Sequence, residues 1–215
     1  MEKTLWIDTE TTGLYSGQNA IVELAGIVDI NGNIEESFTI QFRPHEGAEI
    51  HPRALEINGR TEEEISQFPP LEIGIVKFKK ILSKYVDKFN PQDKFIPAGY
   101  NIPFDLGFVR AAFSISGDKF GIGSWCFTCP IDVWSSVGRA ALKMGFRLKN
   151  YKLATVCKKF GISIDAHNPV SDIAATRSLF YQLEYQLSSY QFKDVSQEEL
   201  TDAQEKRSVS CQRTA

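Results

Sequence analysis

The stretch Leu5-Trp6-Ile7-Asp8-Thr9-Glu10-Thr11-Thr12-Gly13-Leu14 decides how the rest of the chain is read. Leu5-Trp6-Ile7 is an apolar run, and the pattern predicts a first strand over 3–8. Acids at the end of a buried strand are costly unless something cationic sits there. Two residues apart on a strand, Asp8 and Glu10 point to the same face. Carboxylates sharing a face suit a hard divalent ion such as Mg2+ or Mn2+. The stretch therefore points to metal-assisted phosphate chemistry.

The 215 residues are enough for one well-cored domain with little left over. A hydrophobic share of 42% with 24% charged residues fits a globular chain. No segment approaches the roughly 20 apolar residues of a membrane span, and the N-terminus has no basic-then-apolar leader pattern. A cytoplasmic protein with no membrane partner is the expectation. Cys126, Cys129, Cys157 and Cys211 are too few and too clustered for a disulfide framework. Cys126 and Cys129 form a CxxC, but no second pair follows to complete a zinc site, so reduced, partly buried thiols are expected. The net charge of −3 argues against broad coating of nucleic acid. That charge is unevenly spread. From Val133 to Ile164 there is no acid, while Arg139, Lys143, Arg147, Lys149, Lys152, Lys158 and Lys159 are basic. Such a stretch is either a phosphate-facing surface or the solvated faces of two helices.

The remaining pattern alternates strands and helices. Strands are expected at 20–30 and 34–42, joined by the hairpin signal Asn31-Gly32, then at 95–99 and 125–131. Residues 43–60 read as a loop. Thr61-x-x-Glu64 is a capping box for a short helix that Pro69-Pro70 stops. Helices are expected over 72–89, 103–114, 133–144, 151–160 and 169–188. From Ser189 the chain turns polar, which divides it into a domain over 1–190 and a loose tail over 191–215.

Three further places carry polar residues in telling positions. Asn101-Ile102-Pro103-Phe104-Asp105 puts Asp105 in the first turn of a helix directly after a strand. His167-Asn168-Pro169-Val170-Ser171-Asp172 puts a histidine before a helix and an aspartate in its opening turns. Asn168-Pro169 is explained as a cap with proline at the first helical position, which leaves His167 unexplained. Asp132 follows the expected fifth strand, where capping the next helix accounts for it.

The order Asp8-x-Glu10, Asn101-x3-Asp105, His167-x4-Asp172 resembles the three exonuclease motifs of the DEDDh (DnaQ-like) 3′–5′ exonucleases. The first motif, Asp8-x-Glu10 with Thr11-Thr12-Gly13-Leu14 attached, is the most specific part. Ile21-Val22-Glu23-Leu24-Ala25 is similar to that family's second strand, and 54–64 to its helix-entry loop. The resemblance runs from Lys3 to Leu187. Tyr100 and Asn58 stand where many members carry histidine, and Pro169 where alanine is common; none of these removes an acid or His167.

The resemblance implies a ribonuclease H-like α/β fold, a mixed five-stranded sheet flanked by helices. It implies a two-metal-ion exonuclease releasing nucleoside 5′-monophosphates from 3′ ends, with two Mg2+ or Mn2+ about 3.5–4 Å apart. Asp8 would bridge the ions, Glu10 and Asp172 complete one shell, and Asp105 hold the second ion. His167 would be the general base. Thr11, Leu14, Asn101 and Phe104 are the residues expected against the terminal nucleotides; Phe104 is equally explained as core. DNA is the favoured substrate, for proofreading or end-trimming, because the first motif and the helix-entry loop look like the polymerase-associated branch; single-stranded DNA ends are the favoured partner. That branch also makes a DNA polymerase or replication complex a candidate partner. An exoribonuclease of the same fold, acting on RNA 3′ ends or short oligonucleotides, is the alternative. An inactive binding module is disfavoured because four acids and the histidine are all present.

Overall fold

Strand alternation along β1 (Lys3–Thr11) sorts its side chains onto two faces, and the fold is arranged around that sorting. Leu5 and Ile7 point into the main core. Trp6 points the other way, where its ring meets Phe180 with centroids 5.4 Å apart. This computed structural model describes residues 2–165 and 168–188; His167 and the tail expected over 191–215 lie outside the described residues. β1 runs three residues beyond its expected end, so Asp8 and Glu10 both stand within the strand.

β2 (Ile21–Ile30) pairs antiparallel with β1, and β3 (Asn33–Gln41) antiparallel with β2. Their turn places Asn31 and Gly32 at φ 51° and 82°, the left-handed pair that a two-residue hairpin needs. β4 (Ile96–Gly99) runs parallel to the other side of β1, and β5 (Ile131–Asp132) parallel to β4. The order β3-β2-β1-β4-β5 is the mixed five-stranded sheet that the resemblance implies. The fifth strand is shorter than expected. Phe95 and Cys126 make one isolated bridge, and only Ile131–Asp132 pair as a strand. Pro130, lacking an N–H, stands immediately before the pairing.

The helices are α1 (Pro52–Asn58), α2 (Glu62–Ser66), α3 (Leu71–Leu82), α4 (Ile102–Ile115), α5 (Val133–Met144), α6 (Leu153–Phe160) and α7 (Pro169–Ser188). Residues 43–60 are therefore not all loop. Pro52 opens α1 and Gly59, left-handed at φ 64°, closes it. The Thr61 hydroxyl caps α2 by accepting from the Glu64 N–H at 3.1 Å. α3 stops seven residues short of the expected Phe89. Beyond it the Lys3 ammonium donates to the Tyr85 carbonyl at 2.5 Å, and Val86 is turned inward. Both contacts favour a turn over another helical repeat.

α3 and α4 cover the Leu5 face of the sheet, where Phe78, Leu82, Val109 and Phe113 are buried. α7 covers the Trp6 face. Its Arg177 donates to the buried Asp29 carboxylate and to the Gly32 carbonyl, both at 2.7 Å. Met1–Glu184 form one unit; the other, Tyr185–Ala215, contributes only the last turn of α7 to the described residues. Cys126, Cys129 and Cys157 are free thiols, the first and last of them buried. Among the described residues no helix is long and apolar enough to cross a membrane.

Candidate active site

The acids reach one end of β1 from three elements. Asp8 and Glu10 leave the strand on the Trp6 face, the side covered by α7. Asp172 stands in the first turn of α7. Asn168 starts that helix: its side-chain oxygen accepts from the Ser171 N–H at 3.3 Å, and its carbonyl from the Asp172 N–H at 2.9 Å. Asp105 arrives from the opposite side, in the first turn of α4. Its Oδ1 accepts from both the N–H and the hydroxyl of Thr9, at 2.9 and 2.8 Å. Asp105 is thus hooked to the residue between Asp8 and Glu10.

These carboxylates act on one another. Burial pushes the Asp8 carboxyl well above the ordinary carboxylate range, and the charges of Asp105, Glu10, Asp172 and Glu23 push it further. Burial pushes Asp105 up to about 7, against the opposing pull of the two Thr9 bonds. Among the described residues, no three His, Cys, Asp or Glu side chains close into a formed metal cluster. The donor set nevertheless suits one kind of ion. Carboxylate oxygens are hard ligands, and a divalent cation beside Asp8 relieves the repulsion that raises its pKa.

A supporting pair accompanies them. Glu10 lies opposite Glu23 in the β1–β2 register, which sets two like charges side by side. Arg60 answers the buried Glu23 with a 2.8 Å bond and also pairs with Glu64. Glu23 was legible as part of a family-like strand, but its partner Arg60 lies 37 residues away with no local pattern to mark it.

Beside Glu10 opens a cavity of about 500 Å3, lined mainly by Thr11, Leu14, Tyr15, Ala54, Ile57, Asn58 and Phe104. Thr11, Leu14 and Phe104 are therefore brought together as expected. Phe104 serves both readings, since it faces the cavity and packs on Phe108 with centroids 5.0 Å apart. Leu14 is 73% exposed and Ile57 51%, so an apolar rim is offered to solvent. α1 supplies Ala54, Ile57 and Asn58; reading 43–60 as loop left Ala54 and Ile57 unassigned. Asn58 donates to the Thr11 carbonyl at 2.9 Å. Asn101 does not line the cavity. It enters α4 in the left-handed conformation, φ 61°, and its N–H donates to Asp132 at 2.9 Å. Asp132 also caps α5, accepting from the Trp134 N–H. Its capping role was expected; its hold on Asn101, 31 residues away, was not.

Gly13 fixes the loop that carries Leu14. A Cβ there would lie 2.4–2.5 Å from three atoms of the Asn19 side chain. Asn19 is itself held, accepting from the Tyr15 N–H at 2.9 Å and donating to the Glu49 carbonyl at 3.0 Å. Gly13→Ala should therefore cost about 1–3 kcal/mol, read from denaturant unfolding.

Carboxylates thus gather at one end of the central strand of a mixed five-stranded sheet, next to a largely apolar cavity of about 500 Å3. Residues 5–180 match the exonuclease family RNase_T, and the chain belongs to that family of nuclease hydrolases. It is 29% identical over 177 residues to DNA polymerase III PolC-type of Halalkalibacterium halodurans, covering 82% of this chain and 11% of the polymerase. It is likewise 29% identical over 187 residues to ribonuclease T of Shewanella frigidimarina, covering 81% of this chain and 78% of that protein. E. coli exonuclease I in complex with a dT13 oligonucleotide shares the fold with a TM-score of 0.72 at 20% identity, over 87% of this chain and 42% of that one. The chain thus spans about a tenth of its polymerase relatives and under half of the exonuclease I chain.

Proposed function

We propose that this chain is a 3′–5′ exonuclease that removes nucleoside 5′-monophosphates from single-stranded DNA ends, with residues 1–190 as its catalytic domain. The observation that carries the reading is the apolar cavity opening beside Glu10 on the strand that bears Asp8. A terminal base seated against Leu14, Ile57 and Phe104 sets its phosphodiester toward the carboxylates. Stacking and apolar contact accept any base, as an exonuclease requires.

Asp8, Glu10, Asp105 and Asp172 are the residues to hold two divalent ions, Mg2+ or Mn2+. When bound, the ions supply neutralisation of charge on the attacking and leaving oxygens. The chain's own residues do the rest. Thr9 keeps Asp105 oriented through two hydrogen bonds. His167 accepts the proton of the attacking water, the general-base role for which an imidazole is suited near neutral pH.

DNA is favoured over RNA by the DNA polymerase III of PolC type among the relatives of this chain. Similarity to ribonuclease T supports an RNA end as the second reading. The test offers 5′-labelled single-stranded DNA, duplex DNA with a 3′ mismatch, and RNA of the same sequence, with Mn2+. Single-stranded DNA should be shortened fastest, in one-nucleotide steps; faster shortening of RNA overturns the preference. The polymerase relatives also support a DNA polymerase or replication complex as partner, tested by co-elution with the DNA polymerase of the same cell.

A further inference from the structure

The acid-free basic stretch has no part in the carboxylate site or its cavity. In the structure it becomes a helical hairpin, α5 and α6, joined by 145–152. Arg147, Lys149, Lys152, Lys158 and Lys159 are all exposed, and among the described residues none of them forms an ion pair. Arg139 differs, being paired with Glu184 at 3.0 Å. A solvated helical face ordinarily mixes both signs; here seven of the chain's 24 basic residues fall where none of its 27 acids do. Purely solvating charge does not explain that segregation.

The same hairpin carries a groove of about 390 Å3, lined by Leu142, Phe146, Arg147 and Tyr151 among others. Leu142 is 85% exposed, an apolar side chain on a mostly apolar groove to which Arg147 adds a cation. Phe146 is braced by Phe160, with centroids 5.8 Å apart, and Lys159 lies 5.5 Å over its ring. Cations beside an aromatic platform are what single-stranded nucleic acid uses, phosphate by phosphate and base by base.

Two bonds tie this hairpin to the catalytic turn. Asp132, the cap of α5, accepts from the Asn101 N–H. Tyr100 donates its hydroxyl proton to the Tyr151 carbonyl at 2.5 Å. Gly99-Tyr100-Asn101 leads directly into the helix that carries Asp105, so the hairpin is hydrogen-bonded to the turn that enters the active site.

We infer that the α5–α6 hairpin is a second nucleic-acid subsite, gripping phosphates and one base of the substrate strand upstream of its 3′ end. This rests on the exonuclease reading above. A strand held at two places is presented to the carboxylates repeatedly without full release, and affinity rises with strand length until the hairpin is reached.

The experiment uses the full chain in EDTA, with fluorescence anisotropy of a labelled single-stranded 20-mer at several salt concentrations. Replacing Arg147, Lys149, Lys158 and Lys159 together by alanine should weaken binding about tenfold or more at 0.1 M salt. It should flatten the slope of log affinity against log salt by about 0.7 for each phosphate that no longer meets a cation. Leu142→Glu, at an exposed position, should weaken binding of the 20-mer more than binding of inorganic polyphosphate. An unchanged slope and affinity in the quadruple variant, or no binding by the native protein, overturns the inference; equal losses for both ligands in Leu142→Glu overturn the base contact. Hydrolysis of the p-nitrophenyl ester of thymidine 5′-monophosphate with Mn2+ reports the catalytic site alone. The quadruple variant should keep that activity. If the native protein binds the 20-mer through the hairpin but cleaves neither substrate, the exonuclease reading fails and the surface stands.

Discussion

Asp8→Asn should lower the rate of 3′-end hydrolysis by about 10³-fold or more, a loss of about 4 kcal/mol of transition-state stabilisation. The size follows from where Asp8 stands. Asp105, Glu10, Asp172 and Glu23 all act on it, so it is the group through which the cluster's charges meet. An amide of the same shape keeps the packing and removes the charge. Two measurements separate this from unfolding. The variant's circular dichroism should match the native protein, and in EDTA its melting temperature should be equal or higher, because a crowded carboxylate has gone. The native protein should gain stability on titration with Mg2+ or Mn2+, about 2.7 kcal/mol when the ion is at a hundred times its dissociation constant. Asp8→Asn should gain far less. A variant that retains both turnover and the full metal-induced rise in melting temperature rules Asp8 out as a ligand.

The acids were legible because chemistry forces their types and spacing. Asp8 and Glu10 announce themselves by interrupting a buried strand, and Asp105 and Asp172 by opening helices. Other parts follow no local rule. α1 buries only Leu55, so its seven residues have no apolar period to show, although Pro52 and Gly59 bracket it. Trp125 and Cys126 are buried like strand residues, yet they gain that burial by packing beside a one-residue bridge rather than by pairing along a ladder. Arg60 on Glu23 and Asp132 on Asn101 are contacts between segments 37 and 31 residues apart. Only the closed fold brings them together. What the site lacked in the sequence was its support: the cation that offsets Glu23, the helix that walls the cavity, and the carboxylate that fixes the turn before Asp105.

Stability of the metal-free protein should fall as pH rises from about 4 to about 7. Asp105 ionises near its ordinary 3.8 when the chain is unfolded and near 7 when folded. Between those values the folded state holds a proton that the unfolded state has released, so raising pH favours unfolding. The loss from Asp105 is at most about 1.4 kcal/mol for each pH unit in that window, and this contribution levels off above about 7, where Asp105 is ionised in both states. Asp8 is displaced in the same direction and adds to the slope. Asp93 and Asp118 are held below the usual range by hydrogen bonds, Asp118 chiefly by that from Lys79. Their stabilisation is present above about 3.8 and is lost only below it, outside the window. Asp105→Asn separates these contributions, because its amide oxygen can still accept both Thr9 bonds while carrying no charge. In EDTA the variant should melt at a higher temperature than the native protein at about pH 8 and show a shallower fall between about pH 4.5 and 7.5. With Mn2+ it should hydrolyse 3′ ends poorly despite that added stability. A native melting temperature that is flat or rising across the window, in EDTA, means that Asp105 is already ionised in the fold. Its two Thr9 bonds would then outweigh burial.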